Sequence, residues 1–369
     1  MCSRLYIELN VKIMRHFSFK THENGSRSKT LQETDGMSEN DMELVNALQL
    51  APRVSWSELS VILGQHATTL ARRWERITNA GMARISIAPG PGMAALMELA
   101  FIELTCRNSQ VTQVAEDLFQ DHRTMTIQFI AGSAHLLVTV AAPGQSLADF
   151  LLTTIGSLDG VLHYSVRTVT GQLVEASNWH FRALPPATMR KLRRLATHPE
   201  SHGGETHVAM DGIDQEIVRS LSINGRMGLR EIAQRAGITP PAAARRVNRL
   251  IGGNYITVRC DIVRQGLGQN VSAVFWGSMS PDDILLVGPN LAAELPEIRI
   301  MTAVTGANNI HMVVWLNNPW DSLAVERKIL HAIPGLTIDD RRIVLRTFKY
   351  NGARITESGR FGDVLPVGF

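Results

Sequence analysis

The length, composition and charge of the chain limit what it can be. It has 369 residues, of which 44% are hydrophobic, and a formal net charge of +3. This length predicts two to four domains with packed cores, and so mild a charge does not by itself indicate a polyanionic partner. The 3 cysteines are scattered, which argues against a disulfide framework, and no apolar run approaches the ~20 residues of a membrane span. Because the start also lacks the apolar block of a secretory signal, we expect a cytoplasmic protein without a membrane partner.

Residues 1–36 are polar and match no other part of the chain. Such a segment buries too little apolar surface to fold by itself. We therefore expect it to be a disordered tail, or to precede a true start at Met37.

An ungapped internal repeat relates residues 41–84 to residues 214–257 at a constant offset of 173 residues, from 41 to 214. The matched pairs include Asp41 and Asp214, Leu48 and Leu221, Arg53 and Arg226, Gly64 and Gly237, Arg72 and Arg245, Arg73 and Arg246, and Arg76 and Arg249. A match of this length without a gap indicates a duplication.

Each copy has the pattern of three short helices, and in the second copy "RAGIT" lies between the second and third. Its apolar residues recur at helical spacing in three runs, which are Ile213, Ile217 and Leu221; Leu229, Ile232 and Ala233; and Ala243, Val247 and Leu250. Gly237 suits a tight turn, Thr239 is a candidate N-cap, and Pro240 fits the first helical position. This spacing predicts helix-turn-helix DNA-binding domains over 37–88 and 211–263.

The third helix of each copy carries residue types that contact DNA. Small residues at its start allow close approach to a groove, and arginines can contact phosphates or guanine edges. A solvated face is the usual role of an arginine-rich helix, but the duplication and the helix-turn-helix spacing favour DNA contact. The predicted contact residues are Thr68, Thr69, Arg72, Arg73 and Arg76, and Thr239, Pro241, Ala242, Arg245, Arg246 and Arg249. An alternating segment after each helix predicts a wing strand, and residues 1–36 could be a basic arm on the DNA.

The segments that follow, 93–178 and 268–352, both have the pattern strand, helix, strand, strand, helix, strand. In the second segment Ser280 is a candidate helix cap, and Gly288-Pro289 is expected to break or shorten the helix. The βαββαβ order predicts a ferredoxin-like domain, whose open sheet face has to pack on another element, commonly a second such sheet. The predicted fold class is therefore α+β, with two winged helix-turn-helix units and two ferredoxin-like domains in tandem.

Residues 179–210 join the two halves and are predicted to be a linker with one short helix. That helix, over 185–195, should turn Met189, Leu192 and Leu195 inward. The linker histidines His198, His202 and His207 could hold a metal, but structural zinc sites use tighter pairs with cysteines, so we expect no metal. Residues 353–369 are expected to be a C-terminal tail.

These residues and their order resemble the Lrp/AsnC (feast/famine) family of transcriptional regulators. The stretches that carry the resemblance are "DQEIVRSLSINGRMGLREIAQRAGITPPAAARRVNRL", "LPEIRIMTAVTGANNIHMVVWL" and "IPGLTIDDRRIVLRTFK". The resemblance implies that the ferredoxin-like domains sense a ligand, that they dimerise, and that chains form a larger homo-oligomer. The whole chain resembles the tandem subclass, in which one polypeptide carries what is normally a homodimer.

The resemblance also implies an effector site at the loop between the middle strands of each sensor domain. Amino-acid-responsive members carry an acidic residue there, whereas these loops are "GSAH" and "GANNIH". An ordinary turn is the alternative, since glycine and asparagine are turn residues. The expected effector, an amino acid or a related metabolite, would contact Gly132, Ser133, Gly306, Asn308 and Asn309.

No serine, histidine or acidic residues group into a catalytic motif, so we expect no enzymatic activity, no catalytic residues and no cofactor. One rival interpretation is an enzyme that resembles siroheme decarboxylases of this architecture, with His135, His163 and His311 as candidates. Another is a ligand-binding scaffold with degenerate DNA-binding units. The predicted function is a sequence-specific regulator of transcription that binds double-stranded DNA and is modulated by a small-molecule effector at the sensor-domain interface.

Overall fold

The computed structural model describes residues 37–93, 96–144, 146–196, 210–263, 271–288 and 291–368. The segment 1–36, expected to be a tail or an arm, lies outside these residues, and so do the three linker histidines. Within these ranges no helix is both long and apolar enough to cross a membrane. No group of histidine, cysteine and acidic residues in the same ranges could hold a metal ion.

The first half contains a three-helix unit and then a βαββαβ unit, in the predicted order. The first unit consists of α1 (Glu39–Leu50), α2 (Trp56–Leu63), α3 (Ala67–Asn79) and strand β1 (Ala83–Pro89). The second consists of β2 (Met97–Cys106), α4 (Val111–Phe119), β3 (Thr124–Ile130), β4 (Leu136–Pro143), α5 (Leu147–Asp149, continued by helical turns at Phe150–Thr154 and Ile155–Ser157) and β5 (Val161–Val174).

The second half repeats this order after the linker helix α6 (Pro186–Ala196). Its three-helix unit consists of α7 (Gly212–Ile223), α8 (Leu229–Arg235), α9 (Pro240–Gly252) and β6 (Ile256–Ile262). Its βαββαβ unit consists of β7 (Val271–Ser278), α10 (Pro281–Leu286), α11 (Leu291–Glu294), β8 (Ile298–Val304), β9 (Ile310–Leu316), α12 (Ser322–Ala332) and β10 (Thr337–Tyr350). The segment 353–369, expected to be a tail, contains β11 (Ala353–Ile355) and β12 (Phe361–Val364).

Local residues explain where the helices of the three-helix units begin and turn. Ser38 and Asp211 accept hydrogen bonds from backbone N–H groups at the starts of α1 and α7, which satisfies donors that a helix leaves free. Gly64 and Gly237 have φ angles of 66° and 65°, so each supplies the left-handed turn before the third helix. Thr239 takes the predicted N-cap position of α9, although its side chain makes no capping hydrogen bond.

The predicted apolar faces are buried, with two exceptions. Ile232 and Val247 lie in the core of the second three-helix unit, but Leu229, predicted for that core, is 37% exposed. Leu229 is the first residue of α8, and helical side chains point back toward the N-terminus, so its side chain extends beyond the packed face. In α6, Leu192 is fully buried, whereas Leu195 is 46% exposed because it lies one residue before the helix ends.

The two strands expected as wings pair with each other. β1 and β6 form an antiparallel two-stranded sheet in which Ala83 lies opposite Ile262 and Pro89 lies opposite Ile256. Each strand thereby satisfies ladder N–H and C=O groups that a lone strand would leave unpaired. The sheet joins the two helix-turn-helix units.

The two βαββαβ units form one closed sheet. Each has the ferredoxin-like strand order, which is β5-β2-β4-β3 in the first half and β10-β7-β9-β8 in the second. The long strand β5 pairs with β2 of its own half and then with β8, while β10 pairs with β7 of its own half and then with β3. Eight strands therefore close into a barrel, and closure removes the free edges of both sheets.

The barrel packs on both its outer and inner surfaces. Its outer surface packs on helices, through residues such as Leu118 of α4 and Ile329 of α12. Its interior contains a separate apolar cluster in which Phe101 and Leu137 of the first half meet Trp276 of the second. The prediction that the open face of each sheet packs on another such sheet is therefore confirmed within one chain.

Candidate functional site

The N-terminal turns of the third helices, α3 and α9, are at the surface. Thr68 and Thr69 at the start of α3 are exposed, as are Thr239 and Pro241 at the start of α9, and Ala242 is partly exposed. The apolar residues of both helices point the other way, into the unit cores. The residues predicted to reach base edges therefore lie where a DNA groove could meet them.

In the second unit, two of the predicted contact arginines are held by a buried aspartate. Asp214 of α7 is 1% exposed and accepts hydrogen bonds from Arg246 at 2.9 Å and from Arg249 at 2.5 Å. Asp211 accepts a further hydrogen bond from Arg246 at 2.8 Å. The hydrogen bond to Asp214, and then that to Asp211, raises the pKa of Arg246. These pairs tie α9 to α7, because a buried carboxylate needs charge-assisted partners.

The first unit has the same contact in a looser form. Asp41 of α1 is 2% exposed, accepts a hydrogen bond from Arg76 at 2.6 Å and lies 3.6 Å from the Nε of Arg73. Burial alone would raise the pKa of Asp41, but hydrogen bonds from Arg76 and Ser38 outweigh burial and lower it. α3 is thus tied to α1 as α9 is tied to α7.

Arg72 and Arg245, at equivalent positions of the repeat, differ from these four arginines. Both are exposed, and neither forms an ion pair with any residue in the described ranges. Their guanidinium groups are therefore the ones in each unit that are available to a phosphate. Sequence reasoning missed the aspartates: the repeat pairs Asp41 with Asp214, each 35 residues before an arginine that it holds.

A reciprocal pair of arginines, here called the clasp, joins the two helix-turn-helix units. Arg53 donates to backbone carbonyls between α7 and α8, and Arg226 donates to carbonyls between α1 and α2. The acceptors are Gly225 and Met227 (3.2 Å) for Arg53, and Pro52 (2.6 Å) and Val54 (2.8 Å) for Arg226. Arg226 also stacks on Trp56 at 4.1 Å, and burial, followed by repulsion from Arg53, lowers the pKa of Arg226 to about 10. The clasp and the β1–β6 sheet together fix α3 relative to α9.

In the barrel, the first predicted effector loop meets an arginine of the other half. The Oγ of Ser133 accepts a hydrogen bond from Arg342 at 3.3 Å, and a side chain at Gly132 would contact the same arginine. Arg342 also pairs with Glu103, and Glu103 accepts a hydrogen bond from Arg167 at 2.7 Å. One buried carboxylate therefore joins an arginine from each half beside this loop.

The second predicted effector loop is arranged differently. Gly306 faces Arg167, whose Nε lies 4.0 Å from the position of a Cβ built on the glycine. Asn309 holds the backbone of Met279, because its Oδ1 accepts the N–H at 3.0 Å and its Nδ2 donates to the carbonyl at 2.9 Å. Asn308 is partly buried. The structure thus brings Gly306 to the junction of the halves, while the Asn309 amide is already engaged.

The three histidines considered for an enzyme lie apart. The Nδ1 of His135 accepts a hydrogen bond from the N–H of Cys106 at 3.0 Å, and His163 is exposed on β5. His311 is buried inside the barrel, where burial, with repulsion from Arg167, lowers its pKa to about 3. The structure does not bring these three side chains into one site.

Comparisons of the sequence relate the chain to regulators of transcription. A model of the AsnC-type helix-turn-helix domain matches residues 210–251. Over 152 residues the chain is 31% identical to an uncharacterized HTH-type transcriptional regulator of Pyrococcus abyssi and 30% identical to one of Pyrococcus horikoshii. Both matches cover 40% of this chain and 94% of the relative.

A comparison with solved structures finds an enzyme. The siroheme decarboxylase NirDL, in complex with an iron-uroporphyrin III analogue, matches 85% of this chain and 93% of its own, with a TM-score of 0.54 and 15% identity. At this identity the match shows the fold alone. It nevertheless contradicts our expectation of no enzymatic activity, because an enzyme with this fold exists and a missing sequence motif does not exclude residues assembled from distant segments.

Proposed function

We propose that this chain, which belongs to the Lrp/AsnC family of helix-turn-helix transcriptional regulators, binds specific sequences of double-stranded DNA through α3 and α9. The observation that carries the proposal is the matched surface of these helices. Each presents an exposed N-terminal turn and one arginine, Arg72 or Arg245, that no described residue pairs with. First-turn residues of such a helix reach base edges in the major groove, and a neighbouring arginine reaches phosphate.

The connection between the two units supports binding by both helices at once. The clasp and the β1–β6 sheet hold α3 and α9 in one relation, so a single half-site spacing would suit the chain. The helix starts differ in sequence, with Thr68 and Thr69 in α3 against Pro241 and Ala242 in α9. The two half-sites would therefore differ, whereas a homodimer favours a palindrome.

A small-molecule effector, an amino acid or a related metabolite, is proposed to modulate this binding from the interface between the sensor domains. The support is that each loop meets the opposite half, Ser133 at Arg342 and Gly306 at Arg167. A ligand there would contact both halves and favour one arrangement of them over another. Its proposed contact residues are Gly132, Ser133, Gly306, Asn308 and Asn309.

Selection of DNA from random sequence, followed by gel retardation, tests the DNA proposal. We expect enrichment of a non-palindromic site, for which the double variant Arg72→Ala/Arg245→Ala has at least tenfold lower affinity. Arg219→Ala is the matched control, because Arg219 is 60% exposed on α7 and should not affect retardation. The proposal fails if no site is enriched or if the double variant binds as tightly as the control.

A second candidate function is an enzyme that acts on a tetrapyrrole. The observation that favours it is the fold shared with siroheme decarboxylase NirDL over 85% of the chain. Titration with iron-uroporphyrin III, followed by ultraviolet–visible absorption, tests it. A saturable change in the absorption bands supports this candidate and an unchanged spectrum rejects it, whatever the outcome of DNA retardation.

A further inference from the structure

A cavity of about 520 Å³ lies inside the barrel, at the end next to the β1–β6 sheet. This volume is within the range of small-molecule sites. Apolar side chains such as Leu99, Phe101 and Val313 line its body, and Ala88 of β1 and Thr257 of β6 line its end. None of the described residues that line it belongs to the predicted effector loops, so it is a separate place in the fold.

One arginine in the cavity wall is buried without a counter-ion. Arg299 of β8 is 5% exposed, and its guanidinium lies between the rings of Trp179 and Trp315, at 4.2 and 4.1 Å from their centroids. No carboxylate of a described residue lies within ion-pairing distance, and its Nη1 has no hydrogen-bond partner among those residues. Its polar neighbour is Tyr350, and burial lowers the pKa of Arg299 to about 10, which leaves it charged at neutral pH.

The other charged side chains of the wall have partners. Arg259 lies 2.9 Å from Asp261 and also interacts with Glu175. At the exposed rim, Arg346 lies 3.7 Å from Glu357. An added anion would therefore compete with a carboxylate at these two arginines, whereas at Arg299 it would not.

We propose that the cavity binds a small organic anion, a carboxylate carried on an apolar body, with Arg299 as its counter-ion. A buried guanidinium without a carboxylate is unfavourable, and a ligand carboxylate would satisfy both its charge and its Nη1–H group. The two indole rings hold the guanidinium in place before a ligand arrives. The apolar wall suits a hydrocarbon body rather than a sugar or a nucleotide.

The duplication places this charge on one side of the barrel. In the registers of β3 with β4 and of β8 with β9, Met125 takes the position that Arg299 takes in the other half, and Met125 also lines the cavity. In a homodimer both sides would carry the same residue. The cavity instead has one charged side and one apolar side, which suits a ligand with a single acidic end.

Calorimetric titration of the full chain with 3-phenylpropionate and octanoate, and with the neutral 3-phenylpropanol and octanol, tests the proposal. We expect saturable binding of the carboxylates and at least tenfold weaker binding of the alcohols. Arg299→Met, which copies the residue of the first half, should lower carboxylate affinity at least tenfold, and Arg299→Lys should retain part of it. Arg341→Met, at a side chain 44% exposed, and Ser133→Ala in the effector loop are controls that should bind as wild type.

Thermal unfolding separates a ligand site from a purely structural one. Arg299→Met should unfold at the wild-type temperature or higher, because it removes an unpaired buried charge, and 3-phenylpropionate should raise the melting temperature of the wild type but not of this variant. Absence of carboxylate binding, equal binding of the alcohols, or wild-type affinity in Arg299→Met would each overturn the proposal. A strong loss of stability in Arg299→Met would assign the arginine to a structural stack. Neither measurement uses DNA, so their failure is distinct from failure of the proposed function.

Discussion

The helix-turn-helix pair and the barrel use the same duplication in opposite ways. In the helix-turn-helix units equivalent residues make equivalent contacts, as Asp41 and Asp214 do with third-helix arginines and as Arg53 and Arg226 do in the clasp. In the barrel, equivalent positions hold different chemistry; the pairs are Glu103 and Trp276, Leu137 and His311, and Met125 and Arg299. Contacts that position the helices are thus present on both sides, while the barrel interior differs between halves, as only a chain that encodes each half separately allows.

The clasp is where the symmetric pair should be easiest to break. Replacing Arg53 and Arg226 together with alanine leaves four backbone carbonyls without their donors, so we expect the free energy of unfolding to fall by about 3 kcal/mol. Urea denaturation measures the loss, and Arg219→Ala should change it by less than about 0.5 kcal/mol. A double variant as stable as Arg219→Ala would show that the clasp does not hold the units together.

The two buried aspartates should differ in strength. Asp214 binds two arginines within 2.9 Å, whereas Asp41 binds one at 2.6 Å and has the other at 3.6 Å. Because these arginines are partly exposed and screened, we expect losses of about 2 kcal/mol for Asp214→Ala and about 1 kcal/mol for Asp41→Ala. Urea denaturation of the two variants checks the order, and a larger loss for Asp41→Ala would reverse this comparison.

Acid should act on one half of the barrel through His311. Burial, with repulsion from Arg167, lowers its pKa from 6.5 to about 3, so the unfolded chain binds the additional proton between these pH values. Stability therefore falls as the pH drops from 6.5 toward 3, by about 2 kcal/mol at pH 5 from this residue. His311→Leu, which copies Leu137, should remove that part of the loss. Unfolding at pH 7 and pH 5 measures it, and an unchanged pH dependence in the variant would exclude His311 as the cause.

Signals that depend on neighbouring residues could be predicted from the sequence. The three helices, the turn at Gly237 and the βαββαβ order follow from spacing within short windows. The pairing of β1 with β6 could not be predicted, because an alternating strand does not specify a distant partner. Assembly of chains into a larger oligomer stays a prediction.

The roles of individual arginines were the hardest part of the site to predict. An arginine on a helix has the same pattern whether it faces DNA or an aspartate of another helix, so only packing distinguishes Arg249 from Arg245. Arg299 occupies a polar position of an alternating strand, which normally indicates a solvent-facing side chain. Closure of the barrel turns that position inward.

DNA binding by both third helices is tested most directly by the salt dependence of affinity for Arg72→Ala and Arg245→Ala, measured separately. Each variant should lose one phosphate contact, so the slope of log K against log salt concentration should fall by about one. Arg245→Ala should lose more affinity, because Glu75 is exposed on α3 where α9 has Asn248, and this acid weakens the positive field of the first unit. Unchanged slopes in both variants would contradict DNA contact by these helices, and equal losses on a palindromic site would contradict the difference between the units.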